Sequence, residues 1–379
     1  MKWRRVKLGE ILESSKECRF VEHPLDEKLI SVQLHGKGAV QRVLSQEKAP
    51  SPFKGFVGRE GQIVYSRIWA RKGAIAKIGK DLDGVVVSSE FPLFNVCPVA
   101  DIDYLIYAFQ SSSFKQQLEL AGAGTSGQNR IKEKAFLNFE IPLPPLGEQK
   151  RIAEILGGVA NAIHTVEQQI ETANQLEKSL FNQFRRQYSA LCSPIKNMCK
   201  VQTGATPSRK NSSYYDGGIP WVKTGEVNGG KIEETEEYIT ELAIQETNCR
   251  KFPIGTILVA MYGQGATRGK VGILNCAAAT NQACAALIAL ACEDQEYIFA
   301  VLRNCYDELR NLGRGGTQPN LNLTLVKEFE IPWPEEFARE EFSQKWRELD
   351  NLRHLLHRKL SLLQELQKSL ATRAFAGLL

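Results

Sequence analysis

The amino-acid sequence predicts an α+β protein built as a tandem repeat, in which each of two mixed α/β heads is followed by one long helix. Three observations predict this fold class. A block of sequence recurs half a chain later, regularly spaced apolar residues follow each copy, and short apolar runs flanked by glycine precede it. At 379 residues the chain is long enough for two domains that each bury a core.

The repeat is clearest in its second part. Residues 139–144 (FEIPLP) recur as residues 329–334 (FEIPWP), 190 residues later, and residues 176–180 recur as 366–370 at the same offset. Two matches with no net insertion between them are hard to reach by chance. Looser matches lie upstream, namely 61–66 with 255–260 and 124–129 with 315–320. We therefore expect two copies of one unit, each with a divergent head and a better-matched tail.

Each tail is predicted to be a long helix with one apolar seam, because its apolar residues recur about every 3.5 positions. A helix of about 40 residues spans roughly 60 Å, longer than a head of this size is wide, so the seam needs a partner. The alternative is two amphipathic helices that each lie on their own head. Gly157 and Gly158 interrupt the first helix, either at a kink or where another chain comes close. The predicted seams are Ile152, Leu156, Val159, Ile163, Val166, Ile170, Ala173, Leu176, Leu180 and Phe184, and Phe342, Trp346, Leu349, Leu352, Leu356, Leu360, Leu363, Leu366 and Leu370.

Each head carries two strand-like runs joined by a basic loop. In the first head the runs are 62–66 and 74–78, and in the second they are 256–262 and 271–274. Arg and Lys contact phosphates or guanine edges, whereas Gln and Asn suit adenine, so such a loop is a candidate nucleic-acid reader. The plainer interpretation is a solvated hairpin tip, but the loop's recurrence in both copies favours a function.

The residues that we expect to contact DNA lie on these loops and near the glycine-led matches. They are Arg67, Arg71 and Lys72 in the first head and Lys223, Gln264, Arg268 and Lys270 in the second, with Gln128, Asn129, Arg130, Arg314, Gln318 and Asn320 as weaker candidates.

Composition adds modest support. The net charge is +5 and the pI about 8.6, which suits a polyanionic partner without requiring one. No stretch approaches the roughly 18 apolar residues of a membrane span, and the basic amino terminus lacks a secretion signal, so we expect a cytoplasmic protein. Nine scattered cysteines without Cys-x-x-Cys spacing are expected to be reduced thiols.

The motifs that catalysis requires are missing from the sequence. Residues 263–270 (GQGATRGK) resemble a phosphate-binding loop, but the first glycine is one residue too far away and Val271 stands where Ser or Thr would bind magnesium. The five histidines give no metal-ligand or triad pattern. We therefore expect no catalytic residue, no metal site and no cofactor on this chain. The alternatives are a cryptic methyltransferase or nuclease, and a coiled-coil scaffold whose heads bind proteins.

Particular strings, together with the duplicated plan, resemble the specificity subunits of type I restriction-modification systems. The resemblance covers nearly the whole chain, and its most specific string is residues 141–156 (IPLPPLGEQKRIAEIL). Moderately specific strings are 219–227 (IPWVKTGEV), 280–284 (TNQAC) and 87–91 (VSSEF). The second tail departs from the pattern at 335–340, so contacts made through that segment are expected to differ between the two copies.

The resemblance implies a division of the chain and a set of partners. Residues 1–145 and 189–334 (head 1 and head 2 below) would be target recognition domains, and 146–188 and 335–379 would be spacer helices that pair antiparallel as a coiled coil, giving a pseudo-two-fold repeat. Two modification (methyltransferase) subunits would dock on the chain, and restriction (translocase-nuclease) subunits would join them. S-adenosylmethionine, ATP and magnesium would belong to those partners.

The expected function is sequence-specific binding of double-stranded DNA. Because the two heads differ in sequence, the recognised target should be asymmetric and bipartite, and the helices should set the distance between its halves. The bound subunits would then methylate adenine or cut the DNA.

Overall fold

The computed structural model describes residues 3–43, 50–121, 130–263, 266–312 and 321–379. The chain forms two compact units, here called unit 1 (Met1–Glu167 with Arg358–Leu379) and unit 2 (Gln168–His357). Head 1 lies within unit 1 and head 2 within unit 2, whereas each long helix contributes residues to both units. The domain bounds inferred from the sequence stay a prediction. Within the described ranges, no helix is both long and apolar enough to cross a membrane.

Head 1 contains eleven strands and three short helices in its described part, and a long helix follows it. The strands are β1 (Arg5–Lys7), β2 (Leu12–Ser14), β3 (Cys18–Val21), β4 (Ile30–Val32), β5 (Ala39–Gln41), β6 (Phe53–Val57), β7 (Ile63–Tyr65), β8 (Ile75–Lys77), β9 (Val86–Val87), β10 (Leu93–Val96) and β11 (Glu140–Pro142). The helices are α1 (Ile102–Ala108), α2 (Ser112–Ala121), α3 (Glu133–Leu137) and the long α4 (Leu146–Gln187).

Head 2 has a related order of elements, with ten strands and four short helices in its described part. Its strands are β12 (Cys192–Pro194), β13 (Cys199–Thr203), β14 (Tyr215–Val222), β15 (Lys231–Ile232), β16 (Tyr238–Ile239), β17 (Ile257–Ala260), β18 (Val271–Leu274), β19 (Ala279–Thr280), β20 (Cys284–Ala289) and β21 (Glu330–Pro332). Its helices are α5 (Glu241–Glu246), α6 (Gln295–Asn304), α7 (Tyr306–Asn311) and α8 (Leu323–Lys327), and the long α9 (Glu336–Phe375) follows.

The main sheets of the two heads have the same strand order. It is β2-β10-β7-β8 in head 1 and β13-β20-β17-β18 in head 2, where β15 adds a fifth strand parallel to β18. In both sheets the predicted pair of strands forms an antiparallel hairpin, β7 with β8 and β17 with β18. The tandem repeat is therefore a repeat of structure, and the predicted α+β fold class is confirmed.

The repeated FEIP segment closes each head. Its strand pairs with the first strand of the same head, so that Val6 faces Ile141 in head 1 and Ser193 faces Ile331 in head 2. Ile141 and Ile331 are fully buried, because alternate residues of a strand point to opposite faces and these two point into the core. This explains why the segment matches so well between the copies: it joins the start of a head to the start of its long helix.

In unit 1 the beginning of α4 packs against the end of α9. Ile152 and Leu156 share one apolar core with Ala374, and the rings of Tyr104 and Phe375 lie 5.7 Å apart. Helix α4 continues through Gly157 and Gly158, so these glycines mark no end of the helix. A Cβ at Gly157 would lie 3.5 Å from the hydroxyl oxygen of Tyr107.

In unit 2 the end of α4 packs against the beginning of α9. The rings of Phe184 and Phe342 lie 4.5 Å apart, and Phe181 and Trp346 belong to the same core. The beginning of each helix thus meets the end of the other, as an antiparallel pair requires.

The predicted seam is wrong at three positions. Leu176 is 52% exposed, and Leu352 and Leu366 are exposed as well. From residue 166 onward the buried positions of α4 run 166, 170, 173, 177, 181 and 184, so a step of four replaces the predicted step of three after Ala173. Such a stutter moves the seam by one residue, and in unit 2 it brings charged side chains inside.

The displaced seam carries a buried polar network in unit 2. Glu177 is 7% exposed and accepts hydrogen bonds from Arg353 and from Nε1 of Trp346, the latter at 2.9 Å. Arg353 also pairs with Asp350, to which Arg303 of α6 donates at 2.9 Å. Side chains of α4, α9 and head 2 therefore meet around two carboxylates.

Candidate nucleic-acid interface

The basic loop of head 1 is a tight connection between β7 and β8, closed by backbone hydrogen bonds. The amide of Ala70 donates to the carbonyl of Ser66 at 2.8 Å, and a single 3₁₀ turn, Ala70–Lys72, follows. Gly73 ends that turn with φ +76°, a left-handed conformation that favours glycine. The loop thus presents Arg71 and Lys72 on a fixed backbone, as the hairpin prediction requires.

A second loop, residues 33–38, packs against this tip. The amide of Gly36 donates to the carbonyl of Gly73 at 2.9 Å, and His35 adopts φ +60°, which is unusual for a residue with a side chain. A Cβ at Gly73 would lie 3.2 Å from the Cα of His35, so both loops need the glycine. Sequence reasoning missed His35 and Lys37 as neighbours of the basic loop, although Gly36 and Gly38 beside them were a signal for a tight turn.

Arg67 and Arg130 are held in a cluster of mixed charge. Arg67 lies 3.5 Å from Glu133, and Arg130 lies 3.1 Å from Glu90. The backbone amide of Arg67 also donates to the carbonyl of Glu90 at 2.9 Å. The Nε atom of Arg67 is buried with no hydrogen-bond partner among the described residues. The structure therefore brings these two predicted residues together, each beside a carboxylate that the sequence did not single out.

The corresponding loop of head 2 is anchored on helix α7. Gly269 has φ +85°, and a Cβ there would lie 2.9 Å from the backbone nitrogen of Arg310. The hydroxyl of Tyr306 donates to the carbonyl of Ala266 at 2.8 Å. Arg268 is partly exposed, and its Nε is buried without a partner in the described part of the chain.

Lys270 lines a cavity of about 270 Å³ beside this loop. The other lining residues are Asn228, Gly229, Ala266, Val271, Arg303 and Tyr306. Two cationic side chains face this space, although Arg303 is already paired with Asp350.

Lys223 is a weaker candidate than the sequence suggested. Its Nζ atom lies 2.8 Å from a carboxylate oxygen of Glu236 and 3.1 Å from one of Glu237. Hydrogen bonds to these two carboxylates raise the pKa of the Lys223 ammonium. It follows β14, whereas Arg268 and Lys270 lie on the hairpin of the main sheet. Six candidates lie outside the described residues: Gln128, Asn129, Gln264, Arg314, Gln318 and Asn320.

Two further features concern the cysteine thiols and the possible metal ligands of the described residues. All nine cysteines are free thiols, and burial raises the pKa of Cys199, Cys284 and Cys305 to about 12. In the described ranges, no three His, Cys, Asp or Glu side chains form a group that could hold a metal ion.

Known proteins resemble the chain along most of its length. The family model for the type I restriction modification DNA specificity domain matches residues 1–175 and 192–364. The type I restriction enzyme MjaVIII specificity subunit of Methanocaldococcus jannaschii is 24% identical over 299 residues, covering 72% of this chain and 69% of that protein.

Solved structures share the fold. The type I restriction-modification S subunit from M. genitalium aligns with a TM-score of 0.64 at 16% identity, covering 98% of this chain and 96% of that one. A chain from a structure that addresses assembly and conformational transition of a type I R-M system aligns with a TM-score of 0.54 at 17% identity, covering 100% and 98%. At these identities the likeness concerns the fold alone.

Proposed function

The chain belongs to the type I restriction modification DNA specificity family, and from this premise we propose that its two heads read the two halves of an asymmetric, bipartite DNA target. The observation that carries the proposal is the hairpin that recurs in both heads. Each main sheet has the same strand order, and each presents a basic, glycine-terminated loop between matching strands. Because the loop sequences differ, the half-sites that they read should differ too.

The side chains of the hairpin loops fall into two groups, those that contact DNA and those that hold the loop surface in place. Arg71 and Lys72 in head 1, with Arg268 and Lys270 in head 2, supply cations for phosphates or guanine edges. Arg67 and Arg130 already lie beside Glu133 and Glu90, so we assign them to holding the reading surface in place. The paired helices would then fix the distance between the two half-sites.

The chain acts through partners in this proposal. It is a non-catalytic DNA-recognition subunit, and two modification subunits methylate adenine at the site that it selects. Restriction subunits cut DNA when the site is unmodified. S-adenosylmethionine, ATP and magnesium are carried by those partners, and the whole complex works in the cytoplasm.

Exposed and half-buried leucines on the helices offer one place for such a partner. In unit 2, Leu176, Leu180, Leu349 and Leu352 line a shallow groove of about 480 Å³ between α4 and α9. An apolar groove of this kind suits an amphipathic helix of another subunit. Lys345 and Glu348 also line this groove.

The test is a map of methylated adenines in host DNA with and without this gene. The gene should be required for methylation at one bipartite motif whose halves differ and are separated by a fixed number of undefined bases. In vitro, Arg268→Ala should weaken binding severalfold and lower the salt dependence if it contacts a phosphate, or relax one base position if it reads an edge. Methylation that is unchanged when the gene is deleted would contradict the proposal.

A further inference from the structure

The basic loop of head 1 also carries two exposed apolar side chains. Trp69 is 47% exposed and Ile68 is exposed beside it, between the cationic residues Arg67 and Arg71. A single exposed apolar residue needs no explanation. Two adjacent ones, one of them an indole, at the tip of an otherwise basic loop form a small surface that is suited to binding.

The backbone of Trp69 is fixed although its ring is exposed. Its amide donates to the hydroxyl of Ser66 at 3.3 Å, and its carbonyl accepts from the amides of Lys72 at 2.9 Å and Ala74 at 3.2 Å. A side chain that is presented on a rigid turn loses little conformational entropy when it binds. The exposed part of the indole is therefore held in position for contact with another molecule.

The charges around the ring indicate the partner. The ammonium of Lys72 lies 4.9 Å from the centre of the indole, a cation–π contact that covers one face of the ring. The indole remains 47% exposed, and Arg71 is close to it in the loop sequence. A polyanion with flat apolar groups fits this surface, and DNA carries both phosphates and bases.

Head 2 has an aromatic residue at the matching place. When residues 61–66 are matched with residues 255–260, Tyr262 corresponds to Ile68, and Tyr262 is 39% exposed near the start of the second basic loop. The two loops differ in length and charge order, and at this offset Trp69 itself corresponds to Gly263, so Tyr262 is the exposed ring that head 2 has in this part of its loop.

We propose that Trp69, supported by Ile68, contacts bases of the half-site read by head 1, and that Tyr262 does the same for head 2. This inference rests on the proposed function and adds specificity-determining residues to it. The loop cations bind phosphates and set affinity, whereas the aromatic side chains contact base edges or faces, through thymine methyl groups or by partial insertion at a base step.

The test uses the full chain, bound to the modification subunit of its host, to select duplexes from a random pool. Trp69→Ala should lose the preference at one or two adjacent positions of one half-site and bind the wild-type site about tenfold more weakly. The salt dependence of binding should not change, because no phosphate contact is lost. Trp69→Phe should keep part of the preference. Tyr262→Ala should affect only the other half-site.

The unaffected half-site is an internal control for folding, and Phe20→Ala, which removes another exposed aromatic ring of unit 1, is a matched one. An unchanged motif and affinity for Trp69→Ala would overturn the inference, as would equal weakening of both half-sites or the same loss with Phe20→Ala. A wild-type complex that selects no motif would instead overturn the proposed function, and the inference with it.

Discussion

The helix pair is built differently in the two units, although both come from one repeated sequence. In unit 1 the start of α4 and the end of α9 meet through Ile152, Leu156 and Ala374. In unit 2 the same two helices meet partly through Glu177 and Arg353, which are buried and hydrogen-bonded. Apolar side chains pack at one end, and at the other the packing surrounds a charged network.

The counterparts of the network show how the copies have diverged. At the offset of 190 residues, Arg353 corresponds to Ile163, Trp346 to Leu156 and Glu177 to Gln367. The charged side chains therefore have no charged equivalents in the other copy. Duplication preserved the position of the seam and changed its chemistry, so each half of α4 is matched to its own half of α9.

The largest expected effect comes from removing one member of the network. Arg353→Met leaves the carboxylate of Glu177 buried with its main cationic partner gone, and should lower the free energy of unfolding by about 3 kcal/mol. The matched change in the other copy, Ile163→Met, conserves volume and should cost less than about 1.5 kcal/mol. Urea unfolding monitored by circular dichroism measures both.

A second variant separates charge from packing. Adding Glu177→Met to Arg353→Met removes the stranded carboxylate and should recover most of the lost stability, since an apolar pair of similar volume often replaces a buried ion pair without loss. If Arg353→Met is no more costly than Ile163→Met, the network does not distinguish the two units.

The apolar spacing predicted the long helices well, because periodicity is a local signal, whereas their antiparallel pairing was implied by the family resemblance. The spacing failed at Glu177 and Arg353 for a physical reason. Hydrophobic periodicity follows leucines, and at Leu176 and Leu352 it selected the residue before the buried one. Whether a charge is buried depends on a partner from another helix, which no spacing within one helix can reveal.

The candidate site was predictable to a similar extent. Glycine positions and basic composition located both hairpin loops, and the strands on either side form as expected. Whether a cation is free or paired was not predictable. Lys223, for example, is paired with Glu236 and Glu237, which lie on the connection between β15 and β16. The exposure of Trp69 was also missed, since composition suggests burial for tryptophan until the turn that presents it is known.

A smaller loss of stability is expected to be equal in the two units, because it removes a hydrogen bond that both copies make. The hydroxyl of Tyr104 donates to the carbonyl of Pro142 at 2.6 Å, and that of Tyr297 donates to Pro332. Burial raises the pKa of both phenols, so they remain neutral donors. Tyr104→Phe and Tyr297→Phe should each lower the free energy of unfolding by between about 1 and 2 kcal/mol, because each strands a buried carbonyl.

Thermal and urea unfolding of the two tyrosine variants, side by side, check this equality. A difference of more than about 1 kcal/mol, which is larger than the expected scatter between matched sites, would show that the FEIP strand is held differently in the two heads.

The smallest change in stability is expected from a glycine in helix α4. The two copies differ here at two adjacent positions. Gly157 and Gly158 of α4 correspond to Arg347 and Glu348 of α9, and Arg347 is paired with Glu296 of α6 at 2.8 Å. A Cβ at Gly158 would meet nothing within 4 Å. Gly158→Ala should therefore raise the free energy of unfolding by just under about 1 kcal/mol, since alanine removes the entropic cost of glycine in a helix. Glu348→Ala, the matched change, should alter stability by less than about 0.5 kcal/mol. A destabilising Gly158→Ala would contradict the open, unconstrained helix position that the structure shows for this glycine.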